Sequence, residues 1–148
     1  YIARLWSVAV GSLVDAGRCV RLDPEHLLWR DDAGLALHIV DPQFGEDAAV
    51  EVLDRHVEPL VDAWRTIVAP GLLWGNTASA LIGAGRVIGP AARPHIDALF
   101  ADPRLADTID RATGRRRSCC LYYRTPSGGV CGDCVFPEPP RSHSKENL

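Results

Sequence analysis

Lysine is almost missing from this chain: Lys145 stands alone against fifteen arginines, and there is no methionine. With the many alanines and glycines, that bias points to a GC-rich bacterial genome. No glycine-rich loop of the phosphate-cradling kind is present, and neither an internal repeat nor a serine or cysteine hydrolase triad can be assembled. The histidines (His26, His38, His56, His95 and His143) show no H-E-x-x-H or facial-triad spacing, so each is read as a surface or core-edge residue. There is no excess of positive charge. A formal net charge of −3 argues against a general nucleic-acid binder. Charge is also absent between Arg65 and Arg86, a stretch about as long as a membrane-spanning helix. Pro70-Gly71, Asn76, Thr77 and Ser79 interrupt it, so it reads as a buried helix of a soluble protein and not as a transmembrane segment. No signal-peptide pattern is visible, and a cytoplasmic location is expected. The chain opens on Tyr1, which leaves open whether residues precede it.

Cysteine is scarce except in one place. Four of the five cysteines, Cys119, Cys120, Cys131 and Cys134, form the pattern C-C-x10-C-x2-C within sixteen residues. The insert holds Pro126, Gly128 and Gly129, which favour a turn that brings the two pairs together. Gly132 inside Cys-x-x-Cys is expected to remove bulk where backbone approaches the site. Adjacent cysteines on a regular strand point to opposite faces, so both can serve one site only if the backbone bends there. Three readings are open on spacing alone. A structural zinc site usually has two separated C-x2-4-C knuckles, which a vicinal pair does not supply. A disulfide framework suits an oxidising compartment and a domain without a core, whereas this chain is 47% hydrophobic. A [2Fe-2S] centre takes four thiolates, two for each iron. Cys19 stands apart and is read as a small buried hydrophobe.

The run Arg116-Arg117-Ser118-Cys119-Cys120-Leu121-Tyr122-Tyr123-Arg124, followed by Cys131-Gly132-Asp133-Cys134, resembles the C-terminal motif of FhuF-like ferric-siderophore reductases. Leu72-Leu73-Trp74-Gly75-Asn76-Thr77-Ala78-Ser79-Ala80-Leu81 is similar to an internal helical motif of the same family. The resemblance implies that Cys119, Cys120, Cys131 and Cys134 bind a [2Fe-2S] cluster. It also implies that the cluster passes one electron to a ferric siderophore, from a ferredoxin, flavoprotein or small reductant.

The rest of the chain predicts an α+β fold, predominantly helical, with one β-hairpin and a C-terminal cysteine-rich loop. Residues 1–20 carry Leu5, Val8, Ala9 and Leu13 at helical spacing. Leu27 to Val40 reads as a hairpin around Asp31-Asp32-Ala33-Gly34. Glu46 to Ala69 is periodic, with Val50, Leu53, Val57, Leu60, Val61, Trp64 and Val68 as the apolar face and a break or kink expected near His56–Glu58 before Pro59. Pro70 to about Ile88 is the next helix. Its Gly75, Ser79 and Gly83 leave a groove for close helix packing, or for another backbone or planar ligand. Pro94–Phe100 and Arg104–Arg111 read as short helices, with Gly114 as a C-cap. A division follows: 1–112 as the core domain, 113–137 as the cluster-binding segment packed on it, and 141–148 as a tail or tag remnant.

Arg111, Arg115, Arg116, Arg117 and Arg124 lie together with no acid between Asp110 and Asp133. This basic island is read either as docking for an anionic chelate or acidic donor, or as compensation for the cluster's own charge. Arg115, Arg116, Arg117, Arg124, Trp74 and Asn76 are the candidate docking residues, and Tyr122 and Tyr123 are placed at the approach. Two classes of function remain after a zinc-stabilised domain is set beside them. One is a ferric-siderophore reductase. The other is a [2Fe-2S] electron-transfer or iron-sensing module acting on a protein partner.

Overall fold

A computed structural model describes residues 1–31, 34–45 and 47–140. The hairpin-tip residues Asp32 and Ala33, the expected helix start Glu46, and the tail 141–148 with His143 lie outside these. Helix α1 (Ile2–Ala16) turns Leu5, Trp6, Ala9 and Val10 inward, two pairs at four-residue spacing, and all four are fully buried. Gly17 ends it with φ 66°, and its N–H caps the Leu13 carbonyl at 3.0 Å. Strands β1 (Leu27–Asp31) and β2 (Leu35–Ile39) pair antiparallel, with Leu27 opposite Ile39 and Trp29 opposite Leu37. Leu27, Leu37 and Ile39 pack on the core.

A π-helical segment, Val50–Val57, runs directly into α2 (Glu58–Trp64). The expected break at His56–Glu58 is a change of winding in a continuous helix. The Glu58 N–H bonds to the Leu53 carbonyl five residues back, so the widened turn delivers Pro59, which has no N–H to give, into the first turn of α2. The same winding rotates the buried face. Glu51, Val52, Leu53, His56 and Val57 point inward, while Leu60 and Trp64, expected on the apolar side, are exposed. Residues five apart are about 140° apart on an α-helix but adjacent in π winding. Glu51 and His56 thereby grip one residue between them. Glu51 Oε2 accepts the Leu22 N–H at 2.8 Å, and His56 Nε2 donates to the Leu22 carbonyl at 2.6 Å.

Helix α3 (Pro70–Ile88) starts on Pro70 and ends at Gly89, whose φ is 102°. Its Ala78, Leu81 and Ala84 are buried against α1, and the Trp6 indole N–H donates to the Thr77 carbonyl at 3.1 Å. Among the described residues no helix is long and apolar enough to cross a membrane. A 3-10 turn (Pro90–Ala92), α4 (Arg93–Leu99) and the single-turn α5 (Pro103–Ala106) complete the helical body, with Leu99, Phe100 and Leu105 closing the core. Asp102 caps α5 through the Arg104 N–H at 2.9 Å. The molecule is thus α+β and mostly helical.

Candidate functional site

The helix expected over Arg104–Arg111 stops after α5. Strand β3 (Ile109–Asp110) follows and pairs antiparallel with β4 (Arg115–Arg116). The reason is local: the Asp110 carboxylate accepts the N–H groups of Ala112 at 2.9 Å and Thr113 at 3.3 Å, which turns the chain back. Gly114, with φ 70°, closes that turn and is not a helix C-cap.

The ribbon delivers the cysteine segment onto one side of α3. Ser118 Oγ donates to the Gly71 carbonyl at 2.6 Å, and a Cβ on Gly75 would overlap that hydroxyl. Arg116 Nη1 bonds to the Asn76 amide oxygen, and Ser79 bonds to the Asp133 carboxylate. The groove of small residues therefore takes side chains of the cysteine segment at Gly75 and Ser79 and not a neighbouring helix, and no described residue would touch a Cβ at Gly83. The two ends of the segment meet through Arg116, whose N–H donates to the Asp133 carbonyl at 2.9 Å and whose Nε pairs with Asp133 Oδ2 at 3.0 Å.

Within the segment the sulfurs are held by short-range donors. The N–H of Leu121 donates to Cys119 Sγ at 3.3 Å, and that of Phe136 to Cys134 Sγ at 3.4 Å; the Tyr122 N–H serves Cys120. Each donor sits two residues beyond its cysteine. The bend demanded by the vicinal pair falls at Leu121, a non-glycine residue with φ 62°, which opens the 3-10 turn Tyr122–Arg124. The close backbone approach expected at Gly132 occurs at Gly128, where a Cβ would overlap the Tyr122 carbonyl; around Gly132 there is space. Cys120 Sγ and Cys131 Sγ lie 3.5 Å apart, and Arg116 Nη2 donates to Cys131 Sγ at 2.6 Å.

Burial opposes the charge on Cys120, yet the Tyr122 N–H, the Cys131 thiol and Arg116 together hold its thiol below the ordinary value. Burial and the bond with Cys120 push Cys131 up to about 12. Burial also works against Asp133, but Ser79 and Arg116 keep its carboxyl below the usual carboxylate range.

The expected docking residues divide into two groups. Arg116 is 5% exposed and points inward, so it is not an open docking side chain. Asn76 is engaged with it. Trp74 packs against the core, under the Arg104 guanidinium at 5.9 Å. Arg111 pairs with Asp97 and lies over Phe100 at 4.3 Å. Arg115, Arg117 and Arg124 are exposed. Arg115 Nη1 donates to the Cys134 carbonyl at 3.2 Å, and Arg124 Nε to the Tyr123 hydroxyl at 3.2 Å. Arg115, Arg116 and Arg117 line an open hollow of about 500 Å³ with Asp110, Thr113 and Val135. Tyr123 packs edge-on against Phe136, while Tyr122 is largely exposed. Cys19 is buried among core side chains, and burial pushes its thiol up to about 11.

Residues 116–136 match the FhuF 2Fe-2S C-terminal domain. No curated protein matches the chain. The FhuF match covers the cysteine segment and not the helical motif at 72–81. It decides among the three readings of the sulfurs, because the matched domain is a [2Fe-2S]-binding domain. The donor set fits that group. Each of the four sulfurs receives a hydrogen bond from an N–H group, which is the environment of an anionic thiolate.

Proposed function

We propose that this FhuF-type chain is a ferric-siderophore reductase, with Cys119, Cys120, Cys131 and Cys134 as the cluster ligands. When bound, the [2Fe-2S] group supplies one-electron chemistry at low potential, roughly −400 mV in all-cysteine plant-type sites. Hard oxygen donors hold Fe(III) far more tightly than Fe(II), so a single electron delivered to the chelate releases its iron. The electron comes from a ferredoxin, a flavoprotein or a small reductant, and we place the reaction in the cytoplasm.

The observation that carries this reading is the hollow beside Cys134. Arg115 and Arg117 stand on it without a carboxylate at ion-pair distance among the described residues; the one acid lining it, Asp110, is hydrogen-bonded within its own turn and feels Arg117 only from longer range. Two such cations at the edge of the cluster segment attract an anionic ferric chelate over a screening length of about 8–10 Å.

The test is stopped-flow recovery of the cluster absorbance after chemical reduction, without oxygen, using matched anionic and neutral ferric chelates and an Fe(II) trap. Arg115→Gln with Arg117→Gln should slow reoxidation by the anionic chelate roughly tenfold at low salt and leave the neutral one nearly unchanged. Added salt should slow the native protein in the same way. Reoxidation by both chelates no faster than a chelate-free control would end the reductase reading in favour of a module that serves a protein partner.

A further inference from the structure

Arg116 is the most completely buried cation at the site, with 4% of its side chain exposed. Its contacts are unusually asymmetric. The guanidinium reaches Cys131 Sγ at 2.6 Å and bears on Cys120, which itself lies 3.5 Å from Cys131. By contrast, the sulfurs of Cys119 and Cys134 receive only neutral backbone N–H groups. Two thiolates bound about 2.3 Å from one tetrahedral metal stand about 3.8 Å apart, close to the Cys120–Cys131 separation. The pair so defined takes one cysteine from the vicinal doublet and one from Cys-x-x-Cys.

We propose that Arg116 is a positioning residue for the cluster, holding Cys120 and Cys131 as the two ligands of one iron and setting a fixed positive charge beside that iron. Three contacts keep the guanidinium from turning away: Asn76 on α3, the Asp133 carboxylate at 3.0 Å, and the Cys131 sulfur itself. A buried charge of this kind is screened little by salt. With a cluster bound, it would favour the reduced, more negative form over the oxidised one, most strongly on the side held by Cys120 and Cys131. Asp133 opposes it, so the two side chains pull the potential in opposite directions. The inference rests on the cluster and not on the identity of the electron's acceptor.

The experiment is an equilibrium redox titration of the cluster-loaded full chain without any siderophore, at low and high salt. Mössbauer spectra of the reduced state accompany it. Arg116→Gln should lower the reduced-to-oxidised ratio at fixed electrode potential at least tenfold, about 59 mV for one electron. Arg116→Lys should recover part of that loss, and Asp133→Asn should move the ratio the other way. Added salt should change none of these differences by more than about twofold. In Arg116→Gln the spectra should lose their preference for one ferrous site.

If Arg116→Gln takes up no cluster, Asp133→Asn decides: a raised ratio supports the proposal, and an unchanged or lowered one overturns it. Shifts under twofold in both variants, or shifts of the same sign, likewise overturn it. Loss of chelate turnover with these redox shifts intact would instead count against the reductase reading alone.

Discussion

Two arginine networks tie this molecule together, and they are built differently. Arg104 meets three carboxylates: Asp102 at 2.7 Å, Asp54 at 2.5 Å and Glu58 at 3.1 Å, joining α5 to the π-helical segment and α2. Arg116 meets one carboxylate, one amide and a thiol, in a more deeply buried place. The first cation is more than neutralised and clamps elements at the surface, where each ion pair contributes little. The second is matched by a single carboxylate and turns its other N–H groups to an amide and to sulfur. In one network the acids are already present, whereas on our proposal the other would be completed by an anionic cluster held at the cysteines.

The largest effect that would test this contrast lies in the sulfurs themselves. Ser at Cys119, Cys120, Cys131 or Cys134 should bleach or shift the visible spectrum of protein purified without oxygen, because an oxygen ligand is harder than a thiolate. Cys19→Ser should leave that spectrum unchanged. Iron and sulfide analysis should give about two of each per chain, as a [2Fe-2S] centre requires. Retention of an unaltered spectrum by Cys120→Ser would remove the partner on which the Arg116 arrangement depends.

Next come the arginines, compared by urea unfolding of the cluster-free chain. Arg116→Gln strands Asp133 in a largely buried position and should cost about 3 kcal/mol. Arg104→Gln leaves Asp54 and Glu58 half-open to water, while the less exposed Asp102 keeps the backbone N–H of residue 104, so it should cost about 1–2 kcal/mol. Equal losses, or the reverse order, would show that burial does not separate the two networks.

Gly75→Ala is a smaller perturbation aimed at the seat of the Arg116 network alone. Its Cβ would overlap Ser118 Oγ, so about 1–2 kcal/mol should be lost, with Gly75→Ala/Ser118→Gly recovering most of it. The same pair of changes should leave the Arg104 clamp untouched, which a cycle with Arg104→Gln can check through additivity.

The smallest effect concerns pH. Burial depresses the His56 pKa, against the pull of the Leu22 carbonyl and Glu51, so the fold holds the ring neutral, with Nε2–H on Leu22 and the Tyr1 hydroxyl donating to Nδ1 at 2.8 Å. The unfolded chain binds that proton near pH 6.5 and the folded chain only at lower pH. Stability from His56 is therefore fully present above the unfolded value and is lost as pH falls below it, toward the folded value. Neither arginine titrates in this range, and burial is outweighed at Asp133, just as Arg104 outweighs it at Asp102, so both carboxyls stay ionised. A melting series from pH 7.5 to 5.5 should decline in the native chain and flatten in His56→Gln. An equal decline in both would show that the loss does not come from His56.

What could be read without the structure was whatever depends on neighbours in the chain. The pattern C-C-x10-C-x2-C located the sulfur-rich segment, and two apolar runs on either side of Asp31-Asp32-Ala33-Gly34 located the hairpin. Pro70 and Gly89 bracketed α3 because backbone restrictions act at a single residue. The need for a bend at the vicinal cysteines was also local, and Leu121 supplies it. Side-chain direction was not legible in this way. Periodicity assumed α winding, so the π turns before Pro59 moved Leu60 and Trp64 to solvent and brought Glu51 and His56 together on Leu22. Five nearby arginines looked alike as a basic island, because sequence reports charge and not the direction it faces. Only its contacts with Asn76 and Asp133 turned Arg116 inward to Cys131, leaving Arg115 and Arg117 on the surface. The physical reason is distance along the chain: α3 lies some forty residues before the cysteines, and its contacts with them are made only when the helical core has closed.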